Sequence, residues 1–127
     1  MRPALLLFAC LLIAGCGGGT DLEPSKEEAN LHRGAQLFHE RCGGCHTMKA
    51  ADARGSKPAG TVASGERTNG PNFDVRKESR EDVLYAIRNG GFSGAIMPAN
   101  IVTGKEADQL AEYLAKYSGR ERTTKDN

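Results

Sequence analysis

The feature that most constrains this chain is the run Cys-Gly-Gly-Cys-His at residues 42–46. Two cysteines at this spacing could form a disulfide, a thioredoxin-like redox pair or half of a zinc site. A zinc site needs two further nitrogen or sulfur ligands, and the sequence has no second pair of this kind. A thioredoxin-like pair belongs to a βαβ pattern, which is absent here. The histidine directly after the second cysteine favours covalent attachment of a c-type haem, with thioethers from Cys42 and Cys45 and the imidazole of His46 on the iron.

The amino terminus is typical of an export signal. An arginine precedes an apolar run at residues 4–14, which is shorter than the ~20 residues of a membrane-spanning helix. Ile-Ala-Gly-Cys at residues 13–16 resembles the lipobox of bacterial lipoproteins, whose cysteine is lipidated and becomes the new N-terminus. The alternative is a plain secreted chain cut in the same region. We predict a signal peptide at residues 1–15, then a lipidated Cys16 and flexible tether over residues 16–26.

This amino terminus implies a location. A lipoprotein amino terminus carries several acyl chains, which hold a protein firmly on a membrane. We therefore expect an exported, membrane-anchored lipoprotein on the periplasmic or extracytoplasmic face.

Composition limits both the partners and the core. The 127 residues include 17 basic and 16 acidic ones, so removing the signal peptide with its arginine leaves no net formal charge. A neutral chain has no general electrostatic reason to bind nucleic acid, and no nucleic-acid partner is expected. The chain has no Trp and is only 6% aromatic, so it can bury little large apolar surface. A haem would supply the missing apolar volume, and we expect haem binding and folding to be one event.

Apolar residues at helical spacing predict three helices, over Lys26–Arg41, Arg80–Asn89 and Gly104–Tyr117. Ser79 is the predicted N-cap of the second helix, and Thr103 with Glu106 fits a capping box for the third. The glycines at positions 43 and 44 would let the backbone leave the first helix and approach a ring closely.

The sequence predicts no regular secondary structure in the remaining segments. Residues 49–69 are loop by composition, the polar tail at residues 120–127 is predicted to fray, and no strand pattern is present. The folded domain is predicted to span residues 27–119.

These motifs resemble those of class I (monohaem) cytochromes c over most of the predicted mature chain. In that family a glycine and an aromatic residue precede the first haem cysteine by eight and four positions, as Gly34 and Phe38 do here. The family's last helix carries a leucine and an aromatic residue that cross this glycine, and residues 110–114 match them. The turn at residues 70–73, Gly-Pro-Asn-Phe, differs from the family's Gly-Pro-Asn-Leu only in its last residue.

The resemblance implies an all-α fold in which three main helices and their loops wrap one covalently bound haem. It also implies that the Pro71 carbonyl accepts a hydrogen bond from Nδ1 of His46, which would orient the ring and raise its basicity.

The sixth iron ligand has four candidates, namely Met48, Met97, His32 and His39. Met48 lies two residues beyond His46 and has too little chain to reach the opposite side of the ring. Met97 lies 51 positions beyond His46, and Met97-Pro98 matches the family's ligand loop. The two other histidines read as solvated groups on the first helix. We therefore expect His46 and Met97 as the axial ligands.

This ligand set predicts an electron carrier that is not an enzyme. A thioether raises the potential of the iron, and two filled axial positions leave no place for substrate. We expect a role between a quinol-oxidising complex and a terminal oxidase in a respiratory chain. The alternatives are a haem-based sensor or weak peroxidase with an open sixth site, and a thiol–disulfide oxidoreductase that uses Cys42 and Cys45.

Overall fold

A computed structural model describes residues 25–56, 70–91 and 97–121 of this mostly helical protein. Its elements, in chain order, are α1 (Lys26–Leu37), a π-helical turn (Phe38–Cys42), β1 (Thr47–Met48), a 3₁₀ turn (Lys49–Ala51), β2 (Ala53–Arg54), α2 (Arg80–Asn89) and α3 (Gly104–Tyr117). The predicted signal peptide and Cys16 lie outside the described residues and stay predictions. Within the three described ranges, no helix has the length and apolar character needed to span a membrane.

The crossing of α1 and α3 organises the core. A Cβ added to Gly34 would lie 2.5 Å from Cβ of Tyr113, so only a glycine lets the two backbones approach this closely. Leu31 and Leu37 of α1 and Leu110 of α3 are buried in the same hydrophobic core. The contact predicted from the family resemblance is therefore present.

The second and third helices have the predicted bounds. Ser79 caps α2 by accepting a hydrogen bond from the backbone N–H of Asp82 at 3.1 Å. At the other end Gly90 has a φ of +80°, a conformation that stops a helix and favours glycine. Arg80 joins α2 to α3 through the carboxylate of Asp108 at 2.6 Å.

The first helix differs from its prediction in its last turn. The α-helix ends at Leu37, and the chain continues to Cys42 as a π-turn in which the N–H of Gly43 donates to the carbonyl of Phe38 at 2.8 Å. Gly43 has ordinary helical angles, so it does not supply the predicted break in the backbone. Its role is close packing, because an added Cβ would lie 2.7 Å from the carbonyl oxygen of His39.

A short hairpin follows the cysteine motif, where we predicted only loop. Strands β1 and β2 pair antiparallel, with Thr47 opposite Arg54 and Met48 opposite Ala53. Asp52 closes the turn in the left-handed region, with a φ of 48°. Two residues per strand are too few to produce a visible alternation, which is why the sequence pattern missed them.

The predicted capping box at α3 is wrong. Thr103 makes no side-chain cap hydrogen bond. The next residue, Gly104, has a left-handed φ of +57°, so the chain does not enter the helix in the geometry that a capping box needs. Glu106 instead binds Arg33 of α1 at 2.6 Å.

The start of the polar tail is also not frayed. The N–H of Glu121 donates to the carbonyl of Asp74 at 2.8 Å, and the guanidinium of Arg120 lies 4.1 Å from the centre of the Tyr117 ring. A backbone hydrogen bond holds Glu121 and a cation–π contact holds Arg120, and composition encodes neither partner. Residues 122–127 lie outside the described part of the chain.

Candidate functional site

The two cysteines lie on one turn of chain at the end of the π-turn. Cys42 is half-buried and packs against the hydrophobic core, whereas Cys45 is exposed. The N–H groups of Cys45 and His46 both donate to the carbonyl of Cys42, at 3.0 and 2.9 Å. The motif is therefore a single compact turn that presents two sulfurs and one imidazole from neighbouring positions.

The imidazole of His46 is held by the predicted hydrogen bond. Its Nδ1 donates to the carbonyl oxygen of Pro71 at 3.1 Å. Burial lowers the pKa of His46; the bond to Pro71 opposes this shift, and the charge of Arg76 adds to it. A neutral ring that donates through Nδ1 keeps the lone pair of Nε2 available, which is the form that binds a metal ion.

Aromatic rings surround this imidazole. The ring of Phe73 stacks on His46 with centroids 4.9 Å apart and an angle of 18° between the planes. Phe38 meets Phe73 edge-on at 5.8 Å and lies 6.4 Å from His46. In the sequence, Phe73 is distinguished only as the last residue of the turn at residues 70–73. Its position two residues after Pro71 is the one signal that could have indicated contact with the histidine.

The backbone of a glycine also restricts the space beside the His46 ring. A Cβ added to Gly70 would lie 2.5 Å from Cε1 and 2.6 Å from Nδ1 of His46. The backbone of the turn therefore lies directly against the imidazole, a contact that sequence analysis missed.

The turn at residues 70–73 is tied to the cysteine motif through its backbone. The N–H of Gly70 donates to the carbonyl of Cys45, and the N–H of Phe73 donates to that of Thr47, both at 2.9 Å. Thr47 and Asn72 form an isolated parallel bridge between the two segments. These bonds fix the distance between Pro71 and His46.

Met97 is positioned by a different element. Its carbonyl accepts a hydrogen bond from the N–H of Gly91 at 3.2 Å, immediately after α2. Cβ atoms added to Gly90 and Gly91 would lie 2.7 Å from the Met97 carbonyl oxygen and 3.0 Å from its Cβ. The N–H of Asn100 donates to the carbonyl of Ile87 at 2.6 Å, which brings the end of this loop back to α2.

The other three candidates for the sixth ligand have different surroundings. Met48 is fully buried in the core. His32 and His39 are exposed on or near α1. Nδ1 of His39 lies 3.1 Å from the carbonyl of Ala51 and 3.2 Å from that of Asp52, so His39 anchors the hairpin.

The alternative chemistries of the cysteine pair find little support. In the described ranges, no three His, Cys, Asp or Glu side chains cluster as a metal site would require. Burial, assisted by the neighbouring Cys45, raises the pKa of the Cys42 thiol to about 12. A redox-active cysteine requires the opposite shift, because the thiolate is the nucleophile.

The residues present fit a covalently bound haem. Two sulfurs and a neutral imidazole with an available Nε2 are the donor set that the group requires. A Cβ added to Gly44, between the cysteines, would meet nothing within 4 Å, so the motif faces open space on that side.

Comparison with known proteins agrees with this geometry. Residues 31–118 match the family model described as Cytochrome c. The chain belongs to the cytochrome c family. The solved c-type cytochrome SorU from Sinorhizobium meliloti is 33% identical, with a TM-score of 0.56 over 76% of this chain and 99% of that one.

A second relative is larger than this cytochrome. A nitrite reductase from Stutzerimonas stutzeri is 25% identical over 118 residues, which are 89% of this chain and 20% of that protein. The chain therefore spans about a fifth of the length of that curated relative.

The family and the fold establish three of the predictions. The protein is a class I c-type cytochrome, its fold is mostly helical, and its cofactor is covalently attached haem c. In general terms, its function is that of a haem-based electron carrier.

Proposed function

We propose that this cytochrome carries single electrons through one haem c with His46 and Met97 as axial ligands. In this proposal Cys42 and Cys45 supply the thioethers. The haem, when bound, supplies a one-electron iron couple at the centre of the fold. The chain's own residues position it and exclude competing chemistry.

The observation that carries the proposal is the hydrogen bond between Nδ1 of His46 and the carbonyl of Pro71 at 3.1 Å. This bond fixes the tautomer, so that the lone pair of Nε2 is the one offered to the iron. Phe73 and Gly70 lie against the same ring and limit its rotation. A ligand held in this way changes little between oxidation states, which suits rapid electron transfer.

Met97 supports the proposal from the loop after α2. It is half-buried at the end of the loop, where the backbone of Gly90 and Gly91 packs closely against it. A thioether ligand would raise the reduction potential and fill the second axial position. With both positions filled, small molecules have no access to the metal, and the protein acts as a carrier and not as an enzyme.

The partners in this proposal are redox proteins, namely a quinol-oxidising complex as donor and a terminal oxidase or similar acceptor. The similarity to a nitrite reductase supports electron delivery to a reductase as one such acceptor. This chain spans 20% of that protein, so the proposal extends to electron delivery and not to the whole reductase activity.

The proposed location is the outer face of a bacterial membrane, in a respiratory chain. Its basis is the Ile-Ala-Gly-Cys run ending at Cys16. Replacing Cys16 with serine should remove the acyl groups from the intact mass, because serine has no thiol to carry the lipid. Acyl groups that remain on the variant, or that are absent from the wild-type protein, would contradict lipid anchoring at Cys16.

The deciding experiment combines an alkaline pyridine spectrum with the intact mass of protein from a host that attaches haem. We expect one haem held by two thioethers. The oxidised protein should show the weak red absorption band of a methionine–iron bond, and the reduced protein should not bind carbon monoxide. Polypeptide mass without haem would overturn the proposal.

Carbon monoxide binding by the reduced wild-type protein would contradict Met97 ligation. It would favour instead a haem-based sensor or weak peroxidase with an open sixth site.

A further inference from the structure

The chain immediately after α3 lies along the segment that supports His46. We call residues 118–121 the C-terminal strap. Within the strap, the N–H of Gly119 donates to the carbonyl of Phe73 at 2.8 Å, and the N–H of Glu121 donates to that of Asp74 at 2.8 Å. The hydroxyl of Ser118 accepts a hydrogen bond from the N–H of Glu78 at 2.9 Å. The strap is thus bonded to the chain between Phe73 and Glu78 at three places.

The strap can lie this close because of one glycine. Gly119 has a left-handed φ of +70°, and an added Cβ would lie 2.8 Å from Cβ and 3.1 Å from the backbone N of Lys77. Lys49 reinforces the contact from the other side, because its ammonium group binds Glu121 at 2.7 Å and its N–H binds the Asp74 carboxylate at 2.8 Å. The strap is therefore a fitted part of the domain.

Phe73 connects the strap to the histidine. Its N–H is bonded to Thr47 on one side and its carbonyl to Gly119 on the other, so both backbone groups of this residue are fixed. Its ring stacks on His46 at 4.9 Å. A continuous series of contacts runs from the strap, through Phe73, to the imidazole.

We propose that the C-terminal strap is a positioning element for His46, because it holds Phe73 against the imidazole and so preserves the bond to Pro71. This inference rests on the proposed function, since it takes His46 as the iron ligand. When the strap is removed, Phe73 gains freedom and the bond between Nδ1 and Pro71 opens more often. A ring that donates less through Nδ1 is a weaker electron donor, so the ferric state is less stabilised and the midpoint potential shifts upward.

Two truncations of the full-length haem protein test the inference. A chain ending at Tyr117 lacks the strap, whereas a chain ending at Glu121 keeps it. We measure the solvent exchange of the His46 Nδ1 proton by NMR and the midpoint potential. We expect removal of the strap to weaken the closed state of the Nδ1–Pro71 bond by about the free energy of one typical hydrogen bond. The exchange should then be about fivefold to tenfold faster in the shorter chain. The longer chain should have the same proton exchange rate and midpoint potential as the full-length protein.

A pair of substitutions repeats the test in case the shorter truncation fails to fold. Gly119→Ala strains the strap and meets Lys77, whereas Gly104→Ala places the same strain where an added Cβ meets nothing within 4 Å. Faster proton exchange and a raised potential in Gly119→Ala alone would support the inference.

Proton exchange and potential that stay at wild-type values in Gly119→Ala, or in a folded chain ending at Tyr117, would overturn the inference and leave the proposed function intact. A full-length chain without covalent haem would overturn the proposed function itself.

Discussion

The two sides of the proposed haem site are built differently. The proximal side, around His46, is assembled from three stretches far apart in sequence: the π-turn, the turn at residues 70–73 and the C-terminal strap. The described contacts of the distal side, around Met97, lie close by in sequence, at the end of α2. The proximal side therefore depends on the complete tertiary structure, whereas the distal side depends on one local loop. Damage on the proximal side should cost folding, and damage on the distal side should chiefly cost the ligand.

The largest effect is expected from Cys42→Ser combined with Cys45→Ser. Without thioethers the haem is not retained, and the proximal side loses the apolar group around which it packs. We expect loss of the compact fold, measured by circular dichroism and intact mass after expression with haem-attachment machinery. Arg88→Ala, on the exposed part of α2, is the control. A compact and stable haem-free double variant would show that the proximal side assembles without its cofactor.

The next effect is expected from Gly70→Ala. The added methyl group would lie about 2.5 Å from the His46 ring, which Phe73 prevents from moving away. We expect a loss of about 1–3 kcal/mol in the free energy of unfolding, measured in urea. Gly91→Ala is the matched distal control, because the nearest atom to its added Cβ among the described residues is Cβ of Met97, at 3.0 Å. Equal losses in the two variants would contradict the difference between the two sides.

A smaller loss of stability is expected from Met97→Ala. The side chain is half-buried, so we expect roughly 1 kcal/mol, a typical value for a single substitution. The covalent haem should remain, and the reduced protein should now bind carbon monoxide. Met48→Leu, a volume-conserving change in the core, should keep the site closed. If Met97→Ala still excluded carbon monoxide, another residue would be the distal ligand.

The smallest effect is expected in the pH dependence of the free energy of unfolding, through Glu78 on the proximal side. Burial raises the pKa of the Glu78 carboxyl above its usual 4.5, although Arg76 opposes the shift. A raised pKa means that the folded state binds the proton more tightly than the unfolded state, so this stabilisation is present at low pH and is lost as pH rises through the raised pKa. The stability of Glu78→Gln relative to wild type should therefore grow from about pH 4 upward.

Urea unfolding at a series of pH values measures this difference. The exposed Glu81→Gln provides the control. A difference between Glu78→Gln and wild type that does not change with pH would show that Glu78 is not desolvated in the folded protein.

Features with strong local signals were predictable from the sequence. The bounds of α2 follow from its apolar spacing, the hydroxyl of Ser79 and the glycine at position 90. The contact of Pro71 with His46 followed from a resemblance in a short motif. For α2 the physical cause lies within a few residues of each helix end. For the contact of Pro71 with His46, both residues belong to short motifs that can be recognised in the sequence.

Features that depend on contacts distant in sequence were not predictable. The strap is polar, and its docking rests on backbone hydrogen bonds of Gly119 and Glu121 to Phe73 and Asp74, partners that no local sequence pattern identifies. The stacking of Phe73 on His46 needs the two segments to be brought together first. The hairpin strands have two residues each, which is a single period of the strand alternation and too short to be recognised in a sequence.

The π-turn has a consequence for how insertions and deletions act on this cytochrome. A π-turn contains one residue more than an α-turn between the same hydrogen-bonded ends, here Phe38 and Gly43. Shortening it by one residue would leave an unbroken α-helix but would rotate the first sulfur by about 100° around the helix axis. The chain could then keep every cysteine, its histidine and its helical content, and still present the thiol to the wrong side of the porphyrin. Residue count between the aromatic anchor and the first thioether is thus as necessary for cofactor attachment as residue type.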